Sequence, residues 1–185
     1  MTNAFSTLAI PWIFDAEGGY VNVVGDKGGT TKYGISLRYL MDCPDGDIDR
    51  DGDVDNDDIR LLTRDDVIRL YQRDYWVVNG CEVFPPALGL CLFDAAVNHG
   101  GRVGRQLIQS GLGVKADGMF GPVTLEAVRV AENDKERRMQ VITEYGAHRA
   151  IRFASIIRDD RSQQKFELGW LRRLMRLIRV SMEAA

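Results

Sequence analysis

Two groups of acids in this chain stand at spacings that could do chemistry. In DIDRDGDVDNDD, residues 47–58, aspartates fall at relative positions one, three, five, seven, nine and twelve, with glycine at six and valine at eight. A hard cation collects several oxygens, alternate residues of a tight loop turn inward, and glycine makes the sharp bend at the sixth position. The pattern is that of an EF-hand calcium loop. Asp47, Asp49 and Asp51 would ligate by side chain, Asp53 through its backbone carbonyl, Asp55 directly or through water, and Asp58 at the close, where its reach is shorter than that of the usual Glu. A solvated acidic loop is the plainer alternative, but it must gather nine aspartates between 42 and 58 against Arg50 alone. Calcium in a structural role is therefore the expected cofactor.

The second group lies in DAEGGYVNVVGDKGGTTKYGIS, residues 15–36. Glu17 closes an apolar helical run, where unpaired carbonyls make the potential negative and favour a bound proton on a carboxylate. A carboxylic acid that keeps its proton is what protonation of a glycosidic oxygen requires. From the dipole argument alone, a glutamate in a surface turn is the simpler reading. Asp26, nine residues on in a glycine-flanked turn, can return toward Glu17 if the intervening chain forms a ribbon. Thr30 and Thr31 follow with hydroxyls suited to orienting a water or a sugar. Two carboxylates across a cleft are the minimum for glycoside hydrolysis. Tyr20 and Tyr33 would offer aromatic edges to a glycan. Asn98 and His99, a polar pair ending an apolar helix before Gly100-Gly101, could line a groove or be a satisfied structural pair.

The elements that must position these groups are mostly helical. Phe5, Leu8, Ala9, Trp12 and Ile13 recur at helical spacing, with Thr2 or Asn3 as N-cap and Gly18 as the stop. Residues 19–35 are rich in glycine and β-branched residues and predict a small hairpin or three-stranded ribbon. Helix returns at 37–42, then beyond the acidic loop, where Thr63 and Asp66 form a capping-box pair. Further segments are expected at 87–99, 101–111, 121–131 with Pro122 in the first turn, 134–159 and 163–182. On the last, Phe166, Trp170, Leu174, Leu177 and Ile178 share a face flanked by Arg172, Arg173, Arg176 and Arg179. That face either packs inward or meets anionic lipid or lipopolysaccharide. The fold class is mainly α (α+β), one unit of 185 residues.

Charge and cysteine usage narrow the partners. The total is −3; the acidic stretch alone carries −8, which leaves +5 on the rest. A basic body with one acidic loop suits an anionic polymer and a cation. Cys43, Cys81 and Cys91 show no zinc or CxxC spacing and are expected as buried free thiols. The N-terminal run lacks a basic leader and is broken by Pro11, so cytoplasmic synthesis without a signal peptide is expected, and work outside the cell would need something else to release the protein.

Glu17-Gly18-Gly19-Tyr20, followed by Asp26, Gly28-Gly29, Thr31 and Gly34-Ile35, resembles the N-terminal motif of glycoside hydrolase family 108, the N-acetylmuramidases of phage and prophage endolysins. The resemblance implies a lysozyme-like fold with Glu17 as the catalytic acid. A looser similarity to T-even phage lysozymes implies supporting roles for Asp26 and Thr31. The chain departs from the family in reading Val21-Asn22-Val23-Val24-Gly25 where an acid and a proline are common. A second acidic function would then fall on Asp26. LFDAAVNHGG (92–101) and LIQSGLGVKADGMFGPVTLEAV (107–128) are similar to the family's companion peptidoglycan-binding region, though Gly113, Gly118, Gly121 and Asp117 read equally as helix punctuation. These matches imply a catalytic half at 1–86 and a peptidoglycan-binding-like half at 87–185. The implied activity is cleavage of the β-1,4 bond between N-acetylmuramic acid and N-acetylglucosamine, lysing a host cell, by a monomer that binds no nucleic acid. A lytic transglycosylase, or a non-catalytic calcium-dependent protein for wall binding or secretion, are the competing readings.

Overall fold

The computed structural model describes residues 4–17 and 31–185, with the backbone alone at Ala16 and Glu17. The N-cap candidates Thr2 and Asn3, the stop at Gly18, and the ribbon expected before residue 31 lie outside the described residues. The chain divides into two compact units, Ile10–Arg73 and Met1–Ala9 joined with Asp74–Ala185.

In the smaller unit, helix α1 (Ile10–Glu17) carries Pro11 in its first turn, where an absent N–H is least costly. A π-helical turn, Phe5–Ala9, leads into it. The wider turn is a known way of accommodating a proline, and apolar spacing alone could not reveal it. Trp12 and Ile13 are buried. Strands β1 (Thr31–Lys32) and β2 (Ile35–Ser36) pair antiparallel, with Thr31 opposite Ser36 and Lys32 opposite Ile35. Tyr33 (φ 53°) and Gly34 (φ 80°) both take positive φ, as the tight hairpin turn matching strand twist demands. The non-glycine Tyr33 is held there by two neighbours. Its ring packs edge-on against Phe14 with centroids 5.4 Å apart, and its carbonyl accepts the Tyr71 hydroxyl at 3.2 Å.

Ser36 caps α2 (Leu37–Met41) by accepting the Tyr39 N–H at 3.2 Å. Helix α3 (Asn56–Leu61) starts with an Asp55–Asp58 capping box, and α4 (Arg64–Tyr71) with the expected Thr63–Asp66 box. Leu40, Ile59, Leu62, Val67, Leu70 and Tyr71 complete this unit's core with Ile35.

The larger unit is built on α5 (Pro86–His99), buried without interruption from Ala87 to Ala96. It packs against α6 (Gly101–Leu112), α8 (Lys135–Asp159) and α9 (Glu167–Glu183), while α7 (Pro122–Asn133) lies on α6 and α8. Two glycines let helix backbones approach closely. A Cβ at Gly104 would stand 2.9 Å from the Ala96 nitrogen, and one at Gly111 would stand 2.9 Å from the Val141 carbonyl oxygen. Phe5, Trp76 and Phe93 form an aromatic cluster with centroids 5.5–6.2 Å apart. The last expected helix begins late, because Arg161–Phe166 is a 3₁₀ turn capped by Asp160.

On α9, Leu174 and Leu177 are fully buried, whereas Leu168 in its first turn is 58% exposed and Phe166 just before it 46%. The apolar face therefore packs inward at its centre and opens at its start. Arg173, expected on a charged flank, instead turns in to bond Asp94. Cys81 and Cys91 are buried free thiols, as expected, and Cys43 is half-buried. Burial pushes the Cys91 thiol up to about 12. Among the described residues, no helix is long and apolar enough to cross a membrane.

Candidate functional site

Of the three residues expected to do chemistry, Glu17 is the last residue of α1, at the helix's negative end, as its sequence position requires. Thr31 opens β1 and is half-buried. The Glu17 side chain, Tyr20 and Asp26 lie outside the described residues. Tyr33 sits at the hairpin tip beside Phe14, and the Arg64 guanidinium lies 4.2 Å from the centre of the Phe14 ring. Hairpin, α1 and α4 are thus clamped through one aromatic pair and one cation–π contact.

The acidic loop folds as its spacing dictates. Gly52 takes φ 106° at the sixth position, and its N–H donates to Asp47 Oδ2 at 3.1 Å. Asp49 and Asp51 each accept the N–H two residues on, at 3.2 and 3.1 Å. Asp58 is 1% exposed and closes the loop. Its Oδ1 accepts from Ile48 at 2.6 Å and from Asp49 at 3.3 Å, and its Oδ2 accepts from Asp55 at 2.7 Å. Burial opposes its charge, but these backbone donors outweigh the burial and hold its pKa below the usual carboxylate value. Asp49 is raised, first by desolvation and then by neighbouring carboxylates; Asp53 is raised chiefly by Asp51.

Carboxylate oxygens of Asp47, Asp49 and Asp58 lie within 4.8 Å of one another, as do those of Asp53, Asp55 and Asp58. Asp47 Oδ1 is buried with no hydrogen-bond partner. A cluster of acids that could bind a metal is therefore present. Its all-oxygen donor set, mutual repulsion and orphaned oxygen fit a hard divalent cation.

In the larger unit, Asn98 donates to the Asp94 carbonyl at 2.7 Å from an exposed position, and the His99 ring packs 5.6 Å from Phe153. Burial first, then the charges of Arg149 and Arg152, lower the His99 pKa to about 4, so the imidazole is neutral near pH 7. Sequence reasoning missed its surroundings. Asp94, wholly buried, bonds Arg149 Nη1 at 2.5 Å through one oxygen and Arg173 Nε and Nη2 at 3.0 and 2.8 Å through the other. Arg149 also donates to the Tyr145 hydroxyl, which donates to the Cys91 carbonyl at 2.9 Å. A carboxylate inside the apolar run LCLFDAAV was the available signal, since such a charge needs a partner.

The glycine-rich run from Asp117 to Thr124 proves to be a clamp. Buried Gln109 donates to Asp117, to the Met119 carbonyl and to Thr124, and accepts the Gly118 N–H at 2.7 Å. Gly113 is left-handed at the end of α6, Gly121 stands at the N-cap of α7, and Asp117 accepts the Met119 N–H at 3.0 Å in the turn between them.

Comparison with known proteins finds relatives of both halves of the chain. Residues 10–100 match the model of glycosyl hydrolase 108. Residues 103–175 match a predicted peptidoglycan domain, so the family-108 segment and its companion follow each other along the chain. Among solved structures, the chain is similar to the one described as the structure of Brucella abortus SagA. Identity is 26% over 99% of this chain and 96% of that one, with a TM-score of 0.76. No curated protein matches. The chain is thus a glycoside hydrolase acting on peptidoglycan, on a mainly α, lysozyme-like fold. Glu17 and Thr31 both fall within the family-108 segment, as does the acidic loop.

Proposed function

We propose that this chain is an endolysin muramidase, hydrolysing the β-1,4 bond between N-acetylmuramic acid and N-acetylglucosamine and so lysing a bacterial host. The observation that carries this reading is Glu17 at the negative end of α1, inside the family-108 segment. Glu17 protonates the leaving glycosidic oxygen. Asp26 activates water or stabilises positive charge at the anomeric carbon, and Thr31 orients the water or the sugar. Tyr20 and Tyr33 bear on the glycan. Calcium held by Asp47, Asp49, Asp51, Asp53, Asp55 and Asp58 fixes the connection between α2 and α3 and takes no part in bond cleavage.

The enzyme is made in the host cytoplasm, works as a monomer, and reaches the wall after release. Its C-terminal helix meets anionic outer-membrane lipid or lipopolysaccharide, supported by exposed Phe166, Leu168 and Met175 near exposed Arg172 and Arg176. The reading is tested by clearing of purified peptidoglycan. Glu17→Gln should slow clearing by about 10²-fold or more, since it removes the general acid. Clearing at the wild-type rate would remove Glu17 from the reaction.

A further inference from the structure

A carboxylate that must meet a bound sugar cannot be aimed by a helix end alone. Helix α1 has eight residues and Glu17 is its last, where carbonyls lack partners within the helix and a short helix frays. Trp12 and Ile13 are buried in the middle of α1. The last turn needs a hold of its own. Half-buried Phe14, one helical turn before Glu17 and roughly 4.5 Å from it along the axis, supplies one.

Two groups from outside α1 engage the Phe14 ring. The Tyr33 ring meets it edge-on, with 5.4 Å between centroids and 84° between planes, an arrangement that aromatic quadrupoles favour. The Arg64 guanidinium lies over it, 4.2 Å from its centre. Both groups are tied to α4. Arg64 is the first residue of that helix, and Tyr71, the last, donates its hydroxyl to the Tyr33 carbonyl at 3.2 Å. Val67, Leu70 and Tyr71 are buried, so α4 is a fixed base. The contacts close a circuit that runs from α4 through Arg64 to Phe14, across to Tyr33, and back through Tyr71 to α4.

Tyr33 marks this circuit as more than a way of turning the chain. Its φ of 53° lies where Cβ crowds the backbone, and the tight hairpin position it occupies favours Asn, Asp or Gly. A tyrosine there is held against its steric preference, and such strain gathers at functional sites. Its ring and its carbonyl are what the circuit uses. Thr31 stands on β1, on the same hairpin, opposite Ser36. Glu17 and Thr31, two members of the proposed reaction centre, thus follow from neighbouring links of one circuit. Misplacing a reacting group by about 1 Å costs about 10²-fold in rate, so this hold matters to catalysis beyond its effect on stability.

Resting on the reading of Glu17 as the acid, we propose that Phe14 is a positioning residue for the reaction. Gripped by Tyr33 and Arg64, it fixes the last turn of α1, and with it the backbone of Glu17, against the hairpin that carries Thr31.

The test measures initial rates of clearing by the full-length chain against peptidoglycan concentration, with the folding of each variant checked by melting. Phe14→Leu keeps the apolar bulk but removes the ring; kcat should fall about tenfold or more while KM stays within about twofold. Phe14→Tyr keeps the ring and should retain at least about half of the wild-type kcat. Arg64→Gln changes an exposed residue, leaves the core untouched and should lower kcat by about threefold. Combined with Glu17→Gln and read at raised protein concentration, Phe14→Leu should alter the remaining rate by less than about twofold, because a residue that acts through Glu17 has lost its object. Wild-type kcat in folded Phe14→Leu or in Arg64→Gln, a loss carried by KM, no recovery in Phe14→Tyr, or a further loss of about tenfold in the double variant would each overturn the positioning role and leave the muramidase reading standing. Wild-type clearing by Glu17→Gln alone would overturn that reading, and the positioning role with it.

Discussion

Asp94 shows how much one side chain can fix. With two guanidiniums on its two oxygens, it joins α5 to α8 and α9. Truncating one partner of a buried ion pair leaves the others charged and unpaired. Asp94→Ala should therefore cost about 3–5 kcal/mol in urea unfolding, well beyond a surface substitution. His99 makes a different prediction. Its folded pKa, about 4, lies below the ordinary histidine value of 6.5, so the unfolded chain takes up the proton first as pH falls. His99 thus withdraws stability progressively from about pH 6.5 down to about pH 4 and has no such effect above that window. His99→Gln should flatten the dependence of melting temperature on pH within that window. The need for a partner at Asp94 was visible in the sequence. Its partners, 55 and 79 residues away, were not, because only tertiary packing brings them together.

At the scale of elements, what could be read locally was read well. The Thr63–Asp66 capping box, Pro122 at the start of α7 and the helices from α4 to α8 follow from hydrogen bonds and spacings spanning a few residues. Thr63→Ala, which removes one half of the box, should lower stability by about 1 kcal/mol with little effect on catalysis. The π-helical turn before Pro11 and the 3₁₀ start before α9 went unread, since both are adjustments of helices whose apolar periodicity is otherwise regular. The acidic loop was legible down to its glycine, because backbone geometry at the sixth position admits few alternatives. If calcium holds that loop, stripping it with a chelator should lower the melting temperature, and adding it back should restore the value. Unchanged melting in fully stripped protein would reject the ion.

For the whole molecule, composition and periodicity conveyed a mainly α chain with a small β element and a taste for anionic polymer. They could not convey which helix end carries an acid that acts on sugar. That is implied by the resemblance of Glu17-Gly18-Gly19-Tyr20 and the run after it, which lie within the matched residues 10–100. The division at Arg73 and Asp74 left no mark in composition, for no proline- or glycine-rich linker separates the units there. The central claim is that one glutamate at the end of α1 supplies the proton that breaks the glycan. The most direct test is mass analysis of the muropeptides released from purified sacculi by the wild type and by Glu17→Gln at equal protein. The wild type should release fragments ending in reducing N-acetylmuramic acid, and the variant should release almost none. Release of the same fragments at the same rate by the variant, or 1,6-anhydro ends from the wild type, would contradict the account.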